Sequence, residues 1–156
     1  MNYKIREIRK HEYSLLDDFL YEAIFIPEGA KAPPKEIIKQ PELQIYISDF
    51  GKQDDYCLVA ECGGNVVGAV WTRIIDDYGH IDNDTPSLAI SIYKDFRGFG
   101  IGTALMNKMI KLLKSKDYAR VSLSVQKANC AYKLYKKVGF EVISENDEDY
   151  IMVKKL

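Results

Sequence analysis

The sequence predicts an α/β (mixed α+β) fold in which helices pack on a central mixed sheet of about six to seven strands. Three observations lead to this prediction. Several segments alternate apolar and polar residues, others repeat apolar residues at helical spacing, and a glycine-rich turn joins one strand directly to a helix. The 156 residues, 47% of them hydrophobic, are enough for a single domain at 1–156 with a substantial core.

The first half of the chain is predicted to contain a strand, two helical stretches and a strand pair. An apolar stripe from Leu15 to Ile24 indicates the first helix, and the prolines and glycine of "IPEGAKAPPKE" then break the pattern. Gly63-Gly64-Asn65 joins the strand pair, because these residue types accept the positive φ of a tight turn. The elements are a strand at 3–9, helical stretches at 15–24 and 36–50, the second restarting near Pro41, and strands at 56–62 and 66–75.

The second half continues with strands and helices in turn. "SLAISIY" alternates like a strand, and Leu105, Met109 and Leu112 then recur at helical spacing. Asn129 is suited to begin a helix and Gly139 to end one. The elements are a strand at 87–93, a helix running to about 116, a strand at 120–125, a helix from 129 to 139 and a final hairpin at 140–155. The predicted order is β-α-α-β-β-β-α-β-α-β-β.

The composition excludes several classes of protein. The charged start, "MNYKIREIRKHEY", has no apolar run, so neither a signal peptide nor a membrane span is expected. Cys57, Cys62 and Cys130 are odd in number and lack zinc-type spacing. This cysteine pattern predicts no metal site and favours a reduced, cytoplasmic location.

The net charge of −1 hides an asymmetry along the chain. Residues 96–140 carry ten basic residues against one acid, Asp117, whereas the rest of the chain is strongly acidic. An anion therefore suits the first region and a cation the second. Nucleic-acid binding fits poorly, because the chain as a whole is nearly neutral and its lysines are not interleaved with exposed aromatic residues.

The segment "DFRGFGIGTALM" places Gly98, Gly100 and Gly102 between a strand and a helix. Such a turn presents unpaired amides and the positive end of the helix dipole, which suits a phosphate or pyrophosphate. The spacing matches neither the dinucleotide-binding fingerprint nor the Walker loop. Taken alone, the segment is equally compatible with a plain strand-to-helix turn.

Two motifs together resemble landmarks of the GNAT superfamily of N-acetyltransferases. "RGFGIG" is similar to the R/Q-x-x-G-x-G/A signature of that family, and "NCAYKLYKKVGF" is similar to its second landmark about thirty residues later. The resemblance covers the chain from about Tyr56 to the C-terminus. It implies a GNAT-like sheet with helices on both faces and splayed central strands, and an enzyme that transfers acetyl groups from acetyl-CoA directly to a primary amine.

The resemblance also implies roles for individual residues. Backbone amides of the glycine turn would hold the pyrophosphate, and the strand before it would bind pantetheine, with the Ile92 amide polarising the thioester carbonyl. Tyr135 would protonate the departing thiolate, although its helical spacing is also compatible with a core position. The implied cofactor-binding residues are Ile90, Ile92, Arg97, Gly98, Gly100, Gly102, Thr103 and Asn129. Lys94 departs from the family, which usually has proline there.

The acceptor and the general base stay open at this level. Candidates for the base are Glu22, Glu28, Glu61, Asp76, Asp77, His80, Asp82 and Asp84, each of which is also compatible with a solvated surface position. Only His80 has a suitable unperturbed pKa. The acidic residues suggest a cationic small molecule or peptide amine as acceptor, and Trp71 and Tyr78 could line its pocket or belong to the core. The function could instead be that of a CoA-binding sensor without acceptor turnover. For the assembly, a homodimer is possible.

Overall fold

The computed structural model describes all residues, 1–156, and its elements follow the predicted order. The strands are β1 (Lys4–Glu7), β2 (Tyr56–Cys62), β3 (Asn65–Arg73), β4 (Ser87–Ile92), β5 (Arg120–Gln126), β6 (Glu141–Glu145) and β7 (Asp149–Lys155). The α-helices are α1 (Leu15–Glu22), α2 (Pro41–Gln44), α3 (Ile101–Ser115) and α4 (Ala131–Lys137), with short 3₁₀ helices at Lys10–Glu12, Lys35–Lys39 and Lys94–Phe96. None of the helices has the length and apolar character that crossing a bilayer requires.

The seven strands form one sheet in the order β1-β2-β3-β4-β5-β7-β6. Every pair of neighbours is antiparallel except β4 and β5, which are parallel. The sheet is therefore mixed, as predicted. Parallel neighbours need a long crossover, and α3 provides it between β4 and β5.

One face of the sheet is covered by α3 and α4. Leu105, Met106, Met109 and Leu113 are fully buried, because they recur along a single side of α3. They share a core with residues of β2, β3, β5 and β7, so this helix packs on both halves of the sheet. Truncating one of these side chains to alanine costs about 2–5 kcal/mol in comparable cores.

The opposite face is covered by α1 and the 3₁₀ helix at 35–39. Leu16, Phe19 and Leu20 of α1 are buried against β2 and β3. Trp71 of β3 is 1% exposed, and its indole Nε1 donates to the carbonyl of Tyr46 at 3.1 Å. Trp71 is therefore a core residue and does not line an acceptor pocket. Helices thus lie on both faces, as the resemblance implied.

The helical stretch predicted at 36–50 is shorter than expected. The chain breaks before Pro41 as predicted, but the following α-helix ends at Gln44. Arg73 donates from Nη1 to the carbonyl of Ile45 at 3.0 Å, so a carbonyl that would continue the helix is bound to a side chain. The prediction was wrong beyond Gln44 for this reason. β3 also ends at Arg73, two residues before its predicted end.

Two predicted glycine positions are confirmed by the backbone. Gly63 and Gly64 have φ of +59° and +83° and alone connect β2 to β3, which is the geometry of a tight two-residue hairpin turn. Gly139 has φ of +104° at the end of α4. The amide of Phe140 then returns to the carbonyl of Tyr135 at 2.9 Å, which closes the helix end.

Candidate active site

Strand β4 has two edges with different pairing. Along β3 it is paired over its whole length, from Ser87 opposite Arg73 to Ile92 opposite Gly68. Along β5 it forms a single bridge, between Ser87 and Ser122. Beyond that bridge the two parallel strands no longer pair, so the sheet is open between them. This opening matches the splayed central strands that the resemblance implied.

Hydrogen bonds at the two ends of β4 show which backbone groups face the opening. The amide of Tyr93 donates to the carbonyl of Val67 in β3 at 2.9 Å. The carbonyl of Pro86 accepts from the amide of Ser122 in β5 at 3.0 Å. Neighbouring residues of a strand turn their backbone groups to opposite edges. Odd-numbered residues of β4 therefore face β3, and even-numbered residues face β5.

Ile90 and Ile92 are the even-numbered residues of β4 beyond the bridge region. Their amides and carbonyls consequently face the opening, where β5 has ceased to pair. The carbonyl of Ile92 accepts a hydrogen bond from Nε of Arg97 at 2.8 Å. An extended ligand could bind this edge in the way that an added strand binds a sheet.

A run of unpaired amides follows the end of β4. None of the backbone N–H groups from Gly98 to Thr103 donates a hydrogen bond within the protein, whereas the next amide, of Ala104, donates to the carbonyl of Gly100 at 3.1 Å. Gly98 and Gly100 have φ of +85° and +83°, with open space around both. The six amides lie at the positive end of the α3 dipole, where they can hold a phosphate group.

Gly102 serves a different purpose from the other two glycines. It lies in the first turn of α3, and an added Cβ would be 3.3 Å from Cδ1 of Ile92 and 3.4 Å from Cδ2 of Leu134. The missing side chain therefore lets α3 approach both β4 and α4 closely. Any contact of Gly102 with a phosphate would come from its backbone amide.

Arg97 connects the end of β4 to α1. Besides its bond to the carbonyl of Ile92, the guanidinium lies 3.3 Å from the carboxylate of Glu22, and its side chain is 51% exposed. The pair joins residues 75 positions apart, and no sequence pattern indicates it. Arg97 therefore lies beside the unpaired amides with its charge turned towards α1.

Tyr135 lies on α4, inside the core that α3 and α4 form on the sheet. It is 9% exposed, and its ring centroid is 6.2 Å from that of Phe140. Its hydroxyl forms no hydrogen bond within the protein and is not fully shielded from solvent. Burial raises the pKa of Tyr135 to about 12, so the phenol stays protonated over the physiological pH range.

The start of α4 lies beside Asn129, whose Oδ1 accepts a hydrogen bond from the amide of Ala131 at 3.0 Å. This is the capping role predicted for it. Cys130 is exposed to solvent. Tyr132 stacks on Tyr150 of β7 with ring centroids 4.8 Å apart, so it covers the sheet.

The 74–86 loop crosses the junction of β4 and β5 on the face opposite α3 and α4. Over β4, the carboxylate of Asp77 accepts from the hydroxyl of Ser87 at 2.8 Å. Over β5, the carbonyl of Gly79 accepts from the hydroxyl of Ser122 at 2.9 Å, and a Cβ on this glycine would lie 3.3 Å from the main chain of β5. The loop therefore spans the point at which the opening begins.

His80 follows Gly79 in this loop. Its Nδ1 is 2.8 Å from the carbonyl of Ile75. A carbonyl can only accept a hydrogen bond, so Nδ1 carries the proton and donates it. In the neutral imidazole, Nε2 is then the nitrogen with the free lone pair.

The other candidates for a general base are carboxylates, and most have partners. The pairs are Glu22 with Arg97, Glu61 with Lys4 and Arg6, Asp82 with Arg120, and Asp77 with Tyr46 and Ser87. The exposed ones are Glu28, Asp76 and Asp84. The hydrogen bond from Lys4 lowers the pKa of Glu61, and the hydrogen bond from Thr85 lowers the pKa of Asp82, so these two carboxylates are poorer proton acceptors.

Lys94 occupies the position where the related motif usually has proline. β4 ends at Ile92 and is followed by the 3₁₀ turn Lys94–Phe96, in which Lys94 is exposed. Tyr93 keeps the strand end in place, because its amide binds β3 and its ring packs on Phe19 with centroids 4.9 Å apart. The strand end is therefore ordered without the proline.

A polar cleft of about 660 Å³ lies at the far end of β5, and its lining includes Lys116, Tyr118, Arg120, Asp54 and Asp82. Two pairs form across its lining, Arg120 with Asp82 and the Tyr118 hydroxyl with Asp54. The cleft adjoins the C-terminal end of α3, whereas the unpaired amides lie at the N-terminal end. It is therefore separate from the opening between β4 and β5.

Comparisons with known sequences agree with this geometry. The model of the acetyltransferase (GNAT) family matches residues 12–140. The N-alpha-acetyltransferase of Sulfurisphaera tokodaii is 32% identical in an alignment 114 residues long, gaps included, that covers 63% of this chain and 68% of that protein. The N-acetylaspartate synthetase of Homo sapiens is 34% identical over 90 residues, which are 57% of this chain but only 28% of that protein.

Among solved structures, the fold is similar to that of the PaiA N-acetyltransferase from Thermoplasma acidophilum in complex with coenzyme A. The TM-score is 0.72 over 100% of both chains, at 20% sequence identity. The likeness therefore extends over every element described above.

Proposed function

The chain belongs to the acetyltransferase (GNAT) family, and from this premise we propose that the enzyme transfers the acetyl group of acetyl-CoA directly to a primary amine. One observation carries the proposal: the open edge of β4 leads directly to the unpaired amides at 98–103. Acetyl-CoA presents its groups in the same order, an extended pantetheine chain with amides and then a pyrophosphate. The coenzyme A complex of a protein with the same fold supports this assignment.

In this proposal the pyrophosphate lies on the amides from Gly98 to Thr103, and Arg97 exchanges its contact with Glu22 for a phosphate oxygen. The contact to Glu22 is a single one of 3.3 Å, whereas a pyrophosphate carries two negative charges and can accept from two nitrogens of the guanidinium. Asn129 lies at the start of α4, where the resemblance assigns it a cofactor contact. Ile90 and Ile92 bind the pantetheine amides from the open edge of β4.

The thioester is polarised by the amide of Ile92. Negative charge develops on the carbonyl oxygen as the amine attacks, and a fixed donor at that point lowers the barrier. Removing one such donor from enzymes of known mechanism costs about 10²–10³ in turnover. No covalent intermediate with the enzyme is required.

Tyr135 assists the departure of the thiolate. A phenol with a pKa of about 12 is a weaker acid than a free thiol, whose pKa is about 8.5. Full proton transfer from tyrosine to sulfur is therefore unfavourable. The protonated hydroxyl instead donates a hydrogen bond that stabilises the thiolate while the C–S bond breaks, and solvent completes the protonation.

The acceptor is a primary amine of a small molecule or a peptide, and a cationic one fits best. The acidic excess of the chain lies outside residues 96–140, and exposed carboxylates such as Glu28 and Asp76 lie in the two loops that follow α1 and β3. The names of two relatives, an N-alpha-acetyltransferase and an N-acetylaspartate synthetase, indicate amine acceptors of both sizes.

Calorimetric titration with acetyl-CoA tests the first half of the proposal, and release of free thiol across a panel of polyamines, aminoglycosides, amino acids and peptides tests the second. We expect binding, and thiol release with at least one amine. Binding without release for any amine would favour a sensor of acetyl-CoA over an enzyme. Absence of binding would overturn the proposal altogether.

A further inference from the structure

We propose that Arg97 and Glu22 form a switch that couples the two substrates. Acetyl-CoA takes Arg97 away from Glu22, and the freed carboxylate then binds a positive charge of the acceptor. This coupling rests on the proposed function and deepens it, because it names a residue that selects the acceptor. Two contacts of the Arg97 guanidinium support it, one on the open edge of β4 and one on α1.

The Arg97 guanidinium occupies a backbone group on the edge where pantetheine is expected. Its Nε donates to the carbonyl of Ile92 at 2.8 Å, and this carbonyl faces the opening between β4 and β5. A pantetheine chain that lies along the edge like an added strand would donate an amide to the same carbonyl from the same side. Binding of acetyl-CoA therefore displaces the guanidinium from Ile92.

The displaced guanidinium has a new partner beside its own backbone. Arg97 directly precedes Gly98, the first of the six unpaired amides on which the pyrophosphate is expected. Its remaining contact, to Glu22, is single and half exposed, and exposed ion pairs contribute little to stability. A pyrophosphate that accepts from two nitrogens can replace it. Acetyl-CoA thus removes both contacts that hold Arg97 in the free protein.

Glu22 lies beside the end of β4 where the thioester is expected. A single guanidinium bridges its carboxylate and the carbonyl of Ile92, so only the width of that group separates the two. This position is fixed by a buried hydrogen bond, in which the hydroxyl of Ser91 in β4 donates to the carbonyl of Phe19 in α1 at 2.6 Å. Glu22 follows Phe19 by about one helical turn, so the anchor holds its backbone against the strand end.

Glu22 is the carboxylate of α1 whose partner leaves. Asp18, one turn earlier, is paired with Lys35, which comes from the 3₁₀ helix at 35–39 and not from the glycine turn. Asp17 is exposed to solvent. Glu22 is half-buried, and its charge is balanced by Arg97 only until the cofactor binds. A half-buried carboxylate that has lost its counter-ion attracts another cation.

The cation that Glu22 binds is not the reacting amine, because an amine attacks a thioester in its neutral form. The acceptor therefore carries a second positive charge, a few bonds from the reacting nitrogen, since Glu22 lies one guanidinium width from the strand end. A diamine meets this requirement, and a monoamine of the same chain length does not. The coupling is reciprocal, so a bound diamine also tightens the binding of the cofactor.

Calorimetric titration of Glu22→Gln with acetyl-CoA tests the switch without any acceptor. The substitution keeps the size of the side chain but leaves Arg97 free to move, so we expect the Kd of acetyl-CoA to fall by about two- to fivefold. The matched control is Asp17→Asn, which removes the same charge from an exposed position of the same helix and should change the Kd less. In an Arg97→Gln background, Glu22→Gln should have no more effect than Asp17→Asn.

Thiol release with putrescine and with butylamine tests the acceptor side, because these amines share a carbon chain and differ in the second amino group. We expect the wild type to prefer putrescine. Glu22→Gln should raise the KM of putrescine by about tenfold, keep that of butylamine within about twofold, and leave kcat unchanged. A fall in kcat with both amines would overturn the binding role of Glu22, and so would a wild type that uses butylamine equally well.

The cofactor titration separates this inference from the proposed function. If the wild type does not bind acetyl-CoA, the proposed function fails first, and the switch falls with it. If the wild type binds acetyl-CoA but Glu22→Gln and Asp17→Asn have equal Kd values, the switch is overturned and the proposed function stands.

Discussion

The two edges of β4 belong to one stretch of sequence but differ in how far they pair with the neighbouring strands. The edge towards β3 is paired from Ser87 to Ile92, whereas the edge towards β5 is paired at Ser87 alone. The side chains do not distinguish the edges, because a strand presents its backbone groups to both sides in alternation. What differs is the neighbour, since β5 is parallel and departs after one bridge. A binding edge can thus be made by removing a partner from an ordinary strand.

The comparison also explains why the glycines are where they are. At the closed edge, an added Cβ on Gly68 would lie 3.0 Å from Cγ1 of Ile92, so this glycine serves packing. Beyond the open edge, Gly98 and Gly100 have nothing within 4 Å of such a Cβ, so the space around them is available to a ligand. The same residue type therefore serves close packing in one place and access in the other.

Gly100→Trp should have the largest effect, because it blocks the binding site that continues from the open edge of β4. The indole would cover the unpaired amides, and we expect loss of acetyl-CoA binding by more than about 100-fold in calorimetry. The matched control is Gly64→Trp, in the β2–β3 turn, because that glycine has the same φ of +83° and equal open space. Both variants carry the backbone strain of a left-handed residue, about 1–2 kcal/mol, and only the first should lose binding. Equal binding by both would remove the glycine turn from the site.

Tyr135→Phe should slow the release of thiol without weakening the binding of acetyl-CoA at the open edge of β4. We expect thiol release to fall by about 10–100-fold with the Kd of acetyl-CoA unchanged, because in the proposed reaction the hydroxyl donates one hydrogen bond to the thiolate as the C–S bond breaks. Tyr132→Phe, one turn earlier on α4, is the control, since that ring stacks on Tyr150 and lies below the ammonium of Lys136, and both contacts remain without the hydroxyl. A Tyr135→Phe variant that turns over like wild type would assign the ring to the core alone.

Amide hydrogen exchange measured by NMR sharpens the comparison residue by residue. The amides of Ala89 and Ser91 face β3 and should exchange at least about tenfold more slowly than those of Ile90 and Ile92, which face the opening. Saturating acetyl-CoA should slow the exchange of the even-numbered pair and leave the odd-numbered pair unchanged. Uniform protection before the ligand is added would contradict the alternation of edges.

The smallest predicted effect is on stability, and it concerns β1, the strand at the outer edge of the sheet. Arg6 in β1 holds Glu12 through two hydrogen bonds of 2.8 and 2.9 Å, and this lowers the pKa of Glu12 from 4.5 to about 2. The depressed pKa means that the pair stabilises the fold above pH 4.5 and loses this effect as the pH falls towards 2. Glu12→Gln should be about 1–2 kcal/mol less stable than wild type at pH 7 in urea unfolding. The difference should disappear near pH 2, and acetyl-CoA binding at pH 7 should not change.

Much of the fold could be predicted because its signals are local. Alternation marked the strands, Gly63-Gly64 marked the hairpin turn, and Asn129 and Gly139 marked the ends of α4. The helical stretch at 36–50 was overestimated, because the carbonyls of Ile45 and Tyr46 accept hydrogen bonds from the side chains of Arg73 and Trp71 in β3. Competition from distant side chains leaves no trace in a local pattern.

The residues of the candidate site likewise fall into those with a local sequence signal and those without one. The glycine turn is a local motif, so Gly98 and Gly100 were recognisable. The opening beside Ile90 and Ile92 came only from family resemblance, since no property of "SLAISI" indicates that its neighbour departs. The position of His80 depends on Gly79 lying against β5, a contact between segments more than forty residues apart. That the chain forms a single domain stays a prediction.

The single bridge between Ser87 and Ser122 also has a consequence for how the molecule unfolds. Backbone hydrogen bonds join β1, β2, β3 and β4 into one group of strands and β5, β7 and β6 into another. Between the two groups only the bridge at Ser87 and Ser122 connects the strands. The two groups are held together mainly by the side chains of α3, such as Leu105 and Met109, which pack on both. Cooperative melting of the whole sheet therefore depends on this helix and on the 74–86 loop, which bonds to Ser87 of β4 and to Ser122 of β5. A ligand bound between β4 and β5 would add a further connection between the two groups.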